Sequence, residues 1–283
     1  MAAAAASVEV LVLGRGFVGR YVADLLAEAG TPYAATTTDG RDGTVRWRFG
    51  EDGCAFSPLP AASVVVVTFP LQGRDAAARL AGGYAQHVRA AAGGSAAVRW
   101  ICLGSTRAFT ETPSTRHTRP DPALGGARAE AEEYMVREHA AQVLNLAGLW
   151  GGERAPGRWG RFYTRDRLRQ RIESRSLHLL HGADAARAIH AVATCAAAPE
   201  LPGGRWLVSD GAVYDVLQVL AADPRVRELL ASLLDEDEQA RRLLGARRVE
   251  DVAMGASVVA RRIDPSHFWR QFGTGPTHPY VPT

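Results

Sequence analysis

Apolar runs separated by helix-periodic stretches set the rhythm of the first half of this chain. Val8–Leu13 (VEVLVL) predicts a strand, and Phe17–Ala29 a helix stopped by Gly30. Tyr33–Thr38 predicts a second strand. Ser63–Phe69 (SVVVVTF) is a β-branched run without alternation, as in a strand covered on both faces. A helical pattern over Ala76–Ala92 stops at Gly93-Gly94, and Val98–Leu103 predicts the next strand. A helix over Ala127–Ala141 and a strand over Gln142–Leu149 complete the series. Strand–helix alternation of this kind predicts an α/β fold with a doubly wound parallel sheet.

The rhythm breaks after Trp150. Gly151–Gly160, rich in Gly, Arg and Pro, predicts a loop. Strands are expected over Ser176–Leu180 and Arg205–Ser209, and helices over Asp184–Ala197, Val213–Ala222 and Val226–Leu244. The tail Gly273–Thr283, with its prolines, predicts irregular chain. Residues 1–150, with 176–210 returning to the sheet, are expected to form one domain. Residues 151–175 and 211–283 are expected to form a small, mostly helical C-terminal lobe.

The turn between the first strand and the first helix reads Gly14-Arg15-Gly16-Phe17-Val18-Gly19, which fits G-x-G-x-x-G in the strand–turn–helix setting that the motif requires. The first glycine permits the tight turn, the second lets a diphosphate approach the backbone, and the third lets helix and strand pack closely. The helix N-terminus then offers amide donors to the phosphates. A Rossmann domain binding a nicotinamide dinucleotide is the reading this supports. The end of the second strand selects between NAD and NADP. An acid there receives the ribose 2′-hydroxyl, whereas a basic residue pairs with a 2′-phosphate. Here it reads Thr37-Thr38-Asp39-Gly40-Arg41. A threonine stands where the acid is expected and Arg41 is in reach of a phosphate, so NADP is favoured slightly over NAD. Phe69 and Pro70, after the next strand, complete the expected cofactor contacts.

Composition excludes some partners. Thirty-three basic residues stand against 30 acidic ones over 283 residues, a net charge of +3 that arginine dominates and that forms no nucleic-acid footprint. The densest basic stretch, Arg158 to Arg175, is interrupted by Asp166 and Glu173 and reads first as a solvated surface. Cys54, Cys102 and Cys195 are widely spaced, which argues against a disulfide framework or a zinc site and fits a reducing compartment. No apolar stretch reaches the roughly 18 residues that span a bilayer, and the start lacks the basic region of a signal peptide. A cytoplasmic protein, monomer or homodimer, acting on a small molecule without membrane or nucleic acid is expected.

Four features in order now stand together. They are the glycine turn, the strand ending in Leu103-Gly104-Ser105-Thr106, the helix Arg128-Ala129-Glu130-Ala131-Glu132-Glu133, and the pair Leu146-Ala147-Gly148-Leu149-Trp150-Gly151 and His181-Gly182-Ala183-Asp184. Over roughly residues 8–210 the chain resembles the extended short-chain dehydrogenase/reductases, the NAD(P)-dependent epimerase/dehydratase family, and most closely its atypical members. The resemblance implies a hydroxyl at Ser105, with Thr106 beside it, that orients substrate. It also implies a tyrosine and, four residues later, a lysine on the following helix, the tyrosine as proton donor or acceptor. Leu124 and Arg128 stand at those two positions. Leucine cannot transfer a proton, and arginine stays charged.

No other tyrosine takes over by position. Tyr134 is about 15 Å further along the helix, and Tyr163 with Arg167 lies in the lobe that follows the strand ending at Leu149. His117, in the loop before the helix, and Arg154 and Arg158, flanking the loop over the cleft, are further candidates, the arginines toward an anionic substrate. Asp184 reads as a helix N-cap, and His181 as a packing residue between sheet and lobe. Ser105 lies outside any G-x-S-x-G elbow, so hydrolase chemistry is not indicated. Two functions stay open. One is an epimerase/dehydratase-like oxidoreductase on a small, sugar-like substrate; the other is a non-catalytic NAD(P)-binding sensor or scaffold.

Overall fold

A computed structural model describes residues 7–50, 54–92, 97–195, 202–255 and 261–281. The Gly93-Gly94 stop, residues 196–197 of the helix expected from Asp184, the chain before Ser7 and the last two residues of the tail lie outside the described residues.

Seven strands form the central sheet: β1 (Val8–Leu13), β2 (Tyr33–Thr37), β3 (Val45–Arg46), β4 (Ala62–Val67), β5 (Arg99–Ser105), β6 (Gln142–Leu146) and, from later in the chain, β10 (Gly204–Val208). Their order is β10-β6-β5-β4-β1-β2-β3, with every neighbouring pair parallel. Both faces are covered, which is why β1 and β4 read as unbroken apolar runs. Val10, Val12, Val64 and Val66 pack on one side under α1 (Phe17–Glu28) and α5 (Gly182–Thr194). Leu11, Leu13, Val65 and Val67 pack on the other under α2 (Gly73–Ala92) and α3 (Pro122–His139). The chain leaves β1 toward β2 on one side and meets β4 on the other, so the carboxyl ends of β1 and β4 form the switch point where sheets of this kind carry a crevice.

A second apolar cluster belongs to the C-terminal part. Leu168 and Ile172 of α4 (Arg165–Ser174) meet Leu217 and Leu220 of α6 (Val216–Leu220). Leu230 and Leu233 of α7 (Pro224–Glu236) and Leu244 of α8 (Glu238–Leu244) close it. Two small sheets join it to the main body. One pairs β7 (Gly148–Trp150) with β9 (Leu179–His181), the other β8 (Ser176–Leu177) with β11 (Tyr214–Asp215). A last short helix, α9 (Ser266–Gln271), returns Phe268 and Trp269 to the main core.

Several expected elements divide. The strand expected over Gln142–Leu149 breaks at Ala147, whose amide turns to the Val208 carbonyl at 3.0 Å, so β6 stays in the large sheet and β7 joins β9. The helix expected over Val226–Leu244 breaks at Asp237, which ends α7 in extended conformation and caps α8 by accepting from the Ala240 amide at 3.1 Å. In the third helix the chain starts earlier than its periodicity predicts. Asp121 caps it, accepting from the Ala123 amide at 2.8 Å, and Gly126 interrupts it at φ +52°.

The strand expected over Ser176–Leu180 breaks at His178, a buried residue whose Nε2 accepts the Ile263 amide at 3.2 Å. Burial first, then the charges of Arg261 and Arg171, push this histidine's pKa down to about 4. The unfolded chain therefore takes up a proton near pH 6.5 that the folded chain refuses until about pH 4. His178 is stabilising above pH 6.5, and that contribution drains away as the pH falls through this window. The stability gap between the parent protein and His178→Gln is expected to shrink, by at most about 3 kcal/mol, between pH 7 and pH 4 in urea unfolding. A gap that stays constant across that range contradicts the assignment.

Candidate functional site

The site begins at the turn from β1 into α1. Gly14 stands at φ +100°, a conformation closed to side chains with a Cβ. Its amide donates to Thr36 Oγ1 at 2.9 Å, the Arg15 amide donates to the Thr36 carbonyl at 2.7 Å, and the Thr68 hydroxyl donates to the Gly14 carbonyl at 2.6 Å. Thr36 of β2 and Thr68, just past the end of β4, thus hold the turn, roles that the glycine spacing does not announce. A Cβ on Gly19 would lie 2.2 Å from the Gly14 carbonyl oxygen, so only glycine lets the helix sit this close to the turn. A Cβ on Gly16 would meet nothing within 4 Å. The second glycine is not demanded by any protein neighbour, and the space beside it is what a diphosphate needs.

Phe17 opens α1 and Val18 anchors it in the core. No side chain caps the helix and no acidic residue stands in its first turn. The orphan amides there carry a partial positive charge toward the crevice. Phe69 lies at the same crevice, with a ring atom 3.4 Å from where a Gly14 Cβ would be, and stacks on Phe49; Pro70 beside it is exposed.

At the end of β2 the expected residues separate into two kinds. Thr37 is buried, its hydroxyl engaged by the Gly40 amide at 2.9 Å and by Thr44 Oγ1 at 2.7 Å. Thr38, Asp39 and Arg41 are exposed, with Arg41 Nη1 3.0 Å from Asp39 Oδ2. Arg15 reaches the same corner and lies 3.4 Å from Asp42 and 3.8 Å from Asp24.

At the end of β5, Ser105 is half-buried and its Oγ accepts from the Arg107 amide at 3.3 Å. Thr106 is buried, and its carbonyl, with that of Phe109, accepts from Arg261. Arg128 is tied down: Nε donates to Glu132 Oε1 at 3.0 Å and Nη2 to the Leu103 carbonyl at 2.7 Å. Glu132 is itself buried and paired on its other oxygen with Arg205 from β10. Beneath Arg128 a cavity of only about 10 Å³ remains, lined by Phe69, Cys102 and Met135 among others, room for one water at most. Leu124 is 42% exposed, and the Gly126 interruption lies between it and Arg128, so the two do not sit on one regular helical face.

Tyr134, Tyr163, His117 and Asp184 are engaged elsewhere. Tyr134 packs its ring beside His139 and under Arg74. Tyr163 is buried in the C-terminal cluster. His117 faces His267 of α9, with ring centroids 5.7 Å apart. Asp184 is not the helix cap that its sequence position predicts. His181 caps α5, its Nδ1 accepting from the Ala183 amide at 3.2 Å. Asp184 is fully buried and binds the tail instead, accepting from the Thr277 amide and hydroxyl and from the His278 amide, each at 2.9 Å. Those hydrogen bonds outweigh burial and hold its carboxyl below the usual range. A groove of about 440 Å³ exists on the outer side of α5, beside Leu25, His190 and Phe272, and no candidate site residue lines it.

No protein-family model matches the chain, and no curated protein is significantly similar to it in sequence. Solved structures do match over nearly its whole length. MoeE5, solved with UDP-glucose and NAD, is 16% identical at a TM-score of 0.59, covering 96% of this chain and 94% of its own. The UDP-N-acetylglucosamine 4-epimerase from Bacillus cereus is 15% identical at 0.55, covering 96% and 94%. The yeast methylglyoxal/isovaleraldehyde reductase Gre2, solved with NADPH, is 15% identical at 0.58, covering 95% and 94%. The chain has the α/β Rossmann-type fold shared by these epimerase and reductase structures.

Proposed function

We propose that this chain binds NAD(P) in the crevice above β1 and β4 and works as an oxidoreductase of the epimerase/dehydratase type on a small, sugar-like substrate. The observation that carries the reading is the division of labour among three glycines: a positive φ at Gly14, a carbonyl contact at Gly19, and open space at Gly16. Gly14 through Gly19 would hold the diphosphate, with Phe69 and Pro70 along the nucleotide. Thr38, Asp39 and Arg41 would border the adenosine ribose. No acid awaits a 2′-hydroxyl at Thr37 or Thr38, and Arg15 and Arg41 sit at that corner, which supports NADP over NAD. Bound there, the nicotinamide supplies or accepts a hydride. Ser105, half-buried at the end of β5, would hold the substrate oxygen, with Thr106 shaping the floor beneath it. Residues 151–175 and 211–283 would enclose the substrate as a separate lobe, in a cytoplasmic monomer or homodimer.

One observation favours a second reading, a cofactor-binding protein without turnover. Leu124 has no proton to give, and Arg128 spends its donors on Glu132 and the Leu103 carbonyl. Titration with NADPH and NADH followed by a carbonyl panel at 340 nm separates the two readings. Turnover that Ser105→Ala slows supports the enzyme, and tight binding without turnover supports the second reading. Gly16→Ala tests the site itself. It is expected to cost less than about 1 kcal/mol of stability and to weaken NADPH by roughly tenfold or more, as expected when backbone can no longer reach the diphosphate. Unchanged affinity in Gly16→Ala, or a parent protein that ignores both coenzymes at millimolar concentration, overturns the proposal.

A further inference from the structure

The loop after β7 makes a tight two-residue turn. The Gly151 amide donates to the Arg154 carbonyl at 3.1 Å, and the Arg154 amide to the Gly151 carbonyl at 3.0 Å. Gly151 and Gly152 both adopt positive φ, +119° and +53°. A Cβ on Gly151 would lie 2.3 Å from His181 Nε2 and 2.9 Å from the Tyr21 hydroxyl. The turn is therefore wedged against α1 and β9, and its last residue has a fixed direction. That residue, Arg154, lays its guanidinium over the Phe17 ring, with Cζ 4.1 Å from the centroid. Phe17 is the first residue of α1, so a cation from the C-terminal side of the chain rests on the side chain that opens the helix.

On its own this placement is unfavourable, because cations at a helix N-terminus oppose its dipole. Arg15, the other cation at this end, has Asp24 and Asp42 beside it. Among the described residues Arg154 has no carboxylate partner, and the first turn of α1 contains no acid. An anion at the open face of Gly16 would satisfy the orphan amides and the guanidinium together. The aromatic ring meanwhile supports the flat cation from beneath, with its donors free at the edge.

Resting on the dinucleotide reading above, we infer that Arg154 is a positioning residue that clasps the diphosphate from the side opposite the glycine turn, making the Gly151–Arg154 turn a fixed strap across the bound cofactor. The experiment is calorimetric titration of ADP-ribose, which carries the diphosphate but no nicotinamide, into the full chain and into Arg154→Gln and Arg154→Lys at several salt concentrations. Arg154→Gln is expected to bind about tenfold more weakly or worse, as for loss of a hydrogen bond between a charged pair, with a shallower salt dependence. Arg154→Lys is expected to stay within about threefold of the parent, because a point charge still serves phosphate. Thermal unfolding of the unliganded variants should match the parent, since Arg154 is exposed. If the parent binds ADP-ribose and Arg154→Gln binds it equally well, the strap is refuted while the dinucleotide site stands. Equal losses in Gln and Lys with an unchanged salt slope refute it too, because packing on Phe17 then accounts for the effect. A parent protein that does not bind ADP-ribose refutes the dinucleotide reading itself.

Discussion

Asp215→Ala is expected to lose about 3–5 kcal/mol of stability, the usual cost of leaving a buried charge without its partner. Arg175, 4% exposed, holds Asp215 through Nε at 3.3 Å and through a second contact from Nη2 to Oδ2. The carboxylate has two further duties. It accepts from the Leu217 amide at 3.0 Å, capping α6, and from the Gly255 amide at 2.9 Å. Without it, the guanidinium keeps only the Ala253 carbonyl at 2.6 Å. Arg175 cannot swing out to water cheaply, because it is buried at the junction between α4 and β8. A chain of this size should lose on the order of 10 °C in its melting temperature. The double variant Arg175→Met with Asp215→Leu should recover much of the loss, since well-packed apolar groups often replace a buried pair at little cost. A decrease below about 1 kcal/mol in Asp215→Ala contradicts the account.

That pair also shows where the sequence stops being legible. The stretch Arg158 to Arg175 reads as a solvated basic surface, and much of it does face outward. Arg175 and Arg169, however, are committed to Asp215 and Asp237, acids 40 and 68 residues later. Nothing in local periodicity points to partners at such separation. The central strands β1 and β4 were legible because they are buried on both faces, so their residues are apolar whatever their register. The short strands were not. β3, β8 and β11 are two residues long, and each exists because tertiary pairing catches an extended corner of the chain.

The candidate site was legible where chemistry constrains a single backbone turn. Gly14 answers a backbone demand and Gly19 a steric one that their spacing announces, while Gly16 faces open space. Its supports were hidden. Thr36 and Thr68 hold the turn from positions 22 and 54 residues away, and Tyr21 braces the loop bearing Arg154. The resemblance puts Leu124 and Arg128 where a tyrosine and a lysine are expected, and the chain contains no lysine at all. The consequence was not visible. Arg128 belongs to a partly buried Arg128–Glu132–Arg205 network that ties α3 to β5 and β10, so its interactions are with protein groups.

Gly19→Ala should have the largest effect on ligand binding. The new methyl carbon falls 2.2 Å from the Gly14 carbonyl oxygen, about 1 Å inside the closest approach these atoms tolerate. The carbonyl cannot retreat, since it accepts the Thr68 hydroxyl at 2.6 Å while the Gly14 amide is fixed to Thr36. The helix cannot retreat without withdrawing Val18, Val22 and Leu26 from the core beneath it. Overpacking of this kind costs roughly 1–3 kcal/mol, and the compromise displaces the first-turn amides from the diphosphate. Losing two charge-assisted hydrogen bonds at about 1.5 kcal/mol each weakens a dinucleotide by roughly 100-fold. The contrast with Gly16→Ala is diagnostic. Gly16→Ala should weaken the ligand and spare the fold, whereas Gly19→Ala should damage both, by melting temperature and by ADP-ribose titration. If Gly19→Ala keeps the parent's stability and affinity, then the close contact between α1 and the turn does not shape the site, and the diphosphate assignment loses its structural basis.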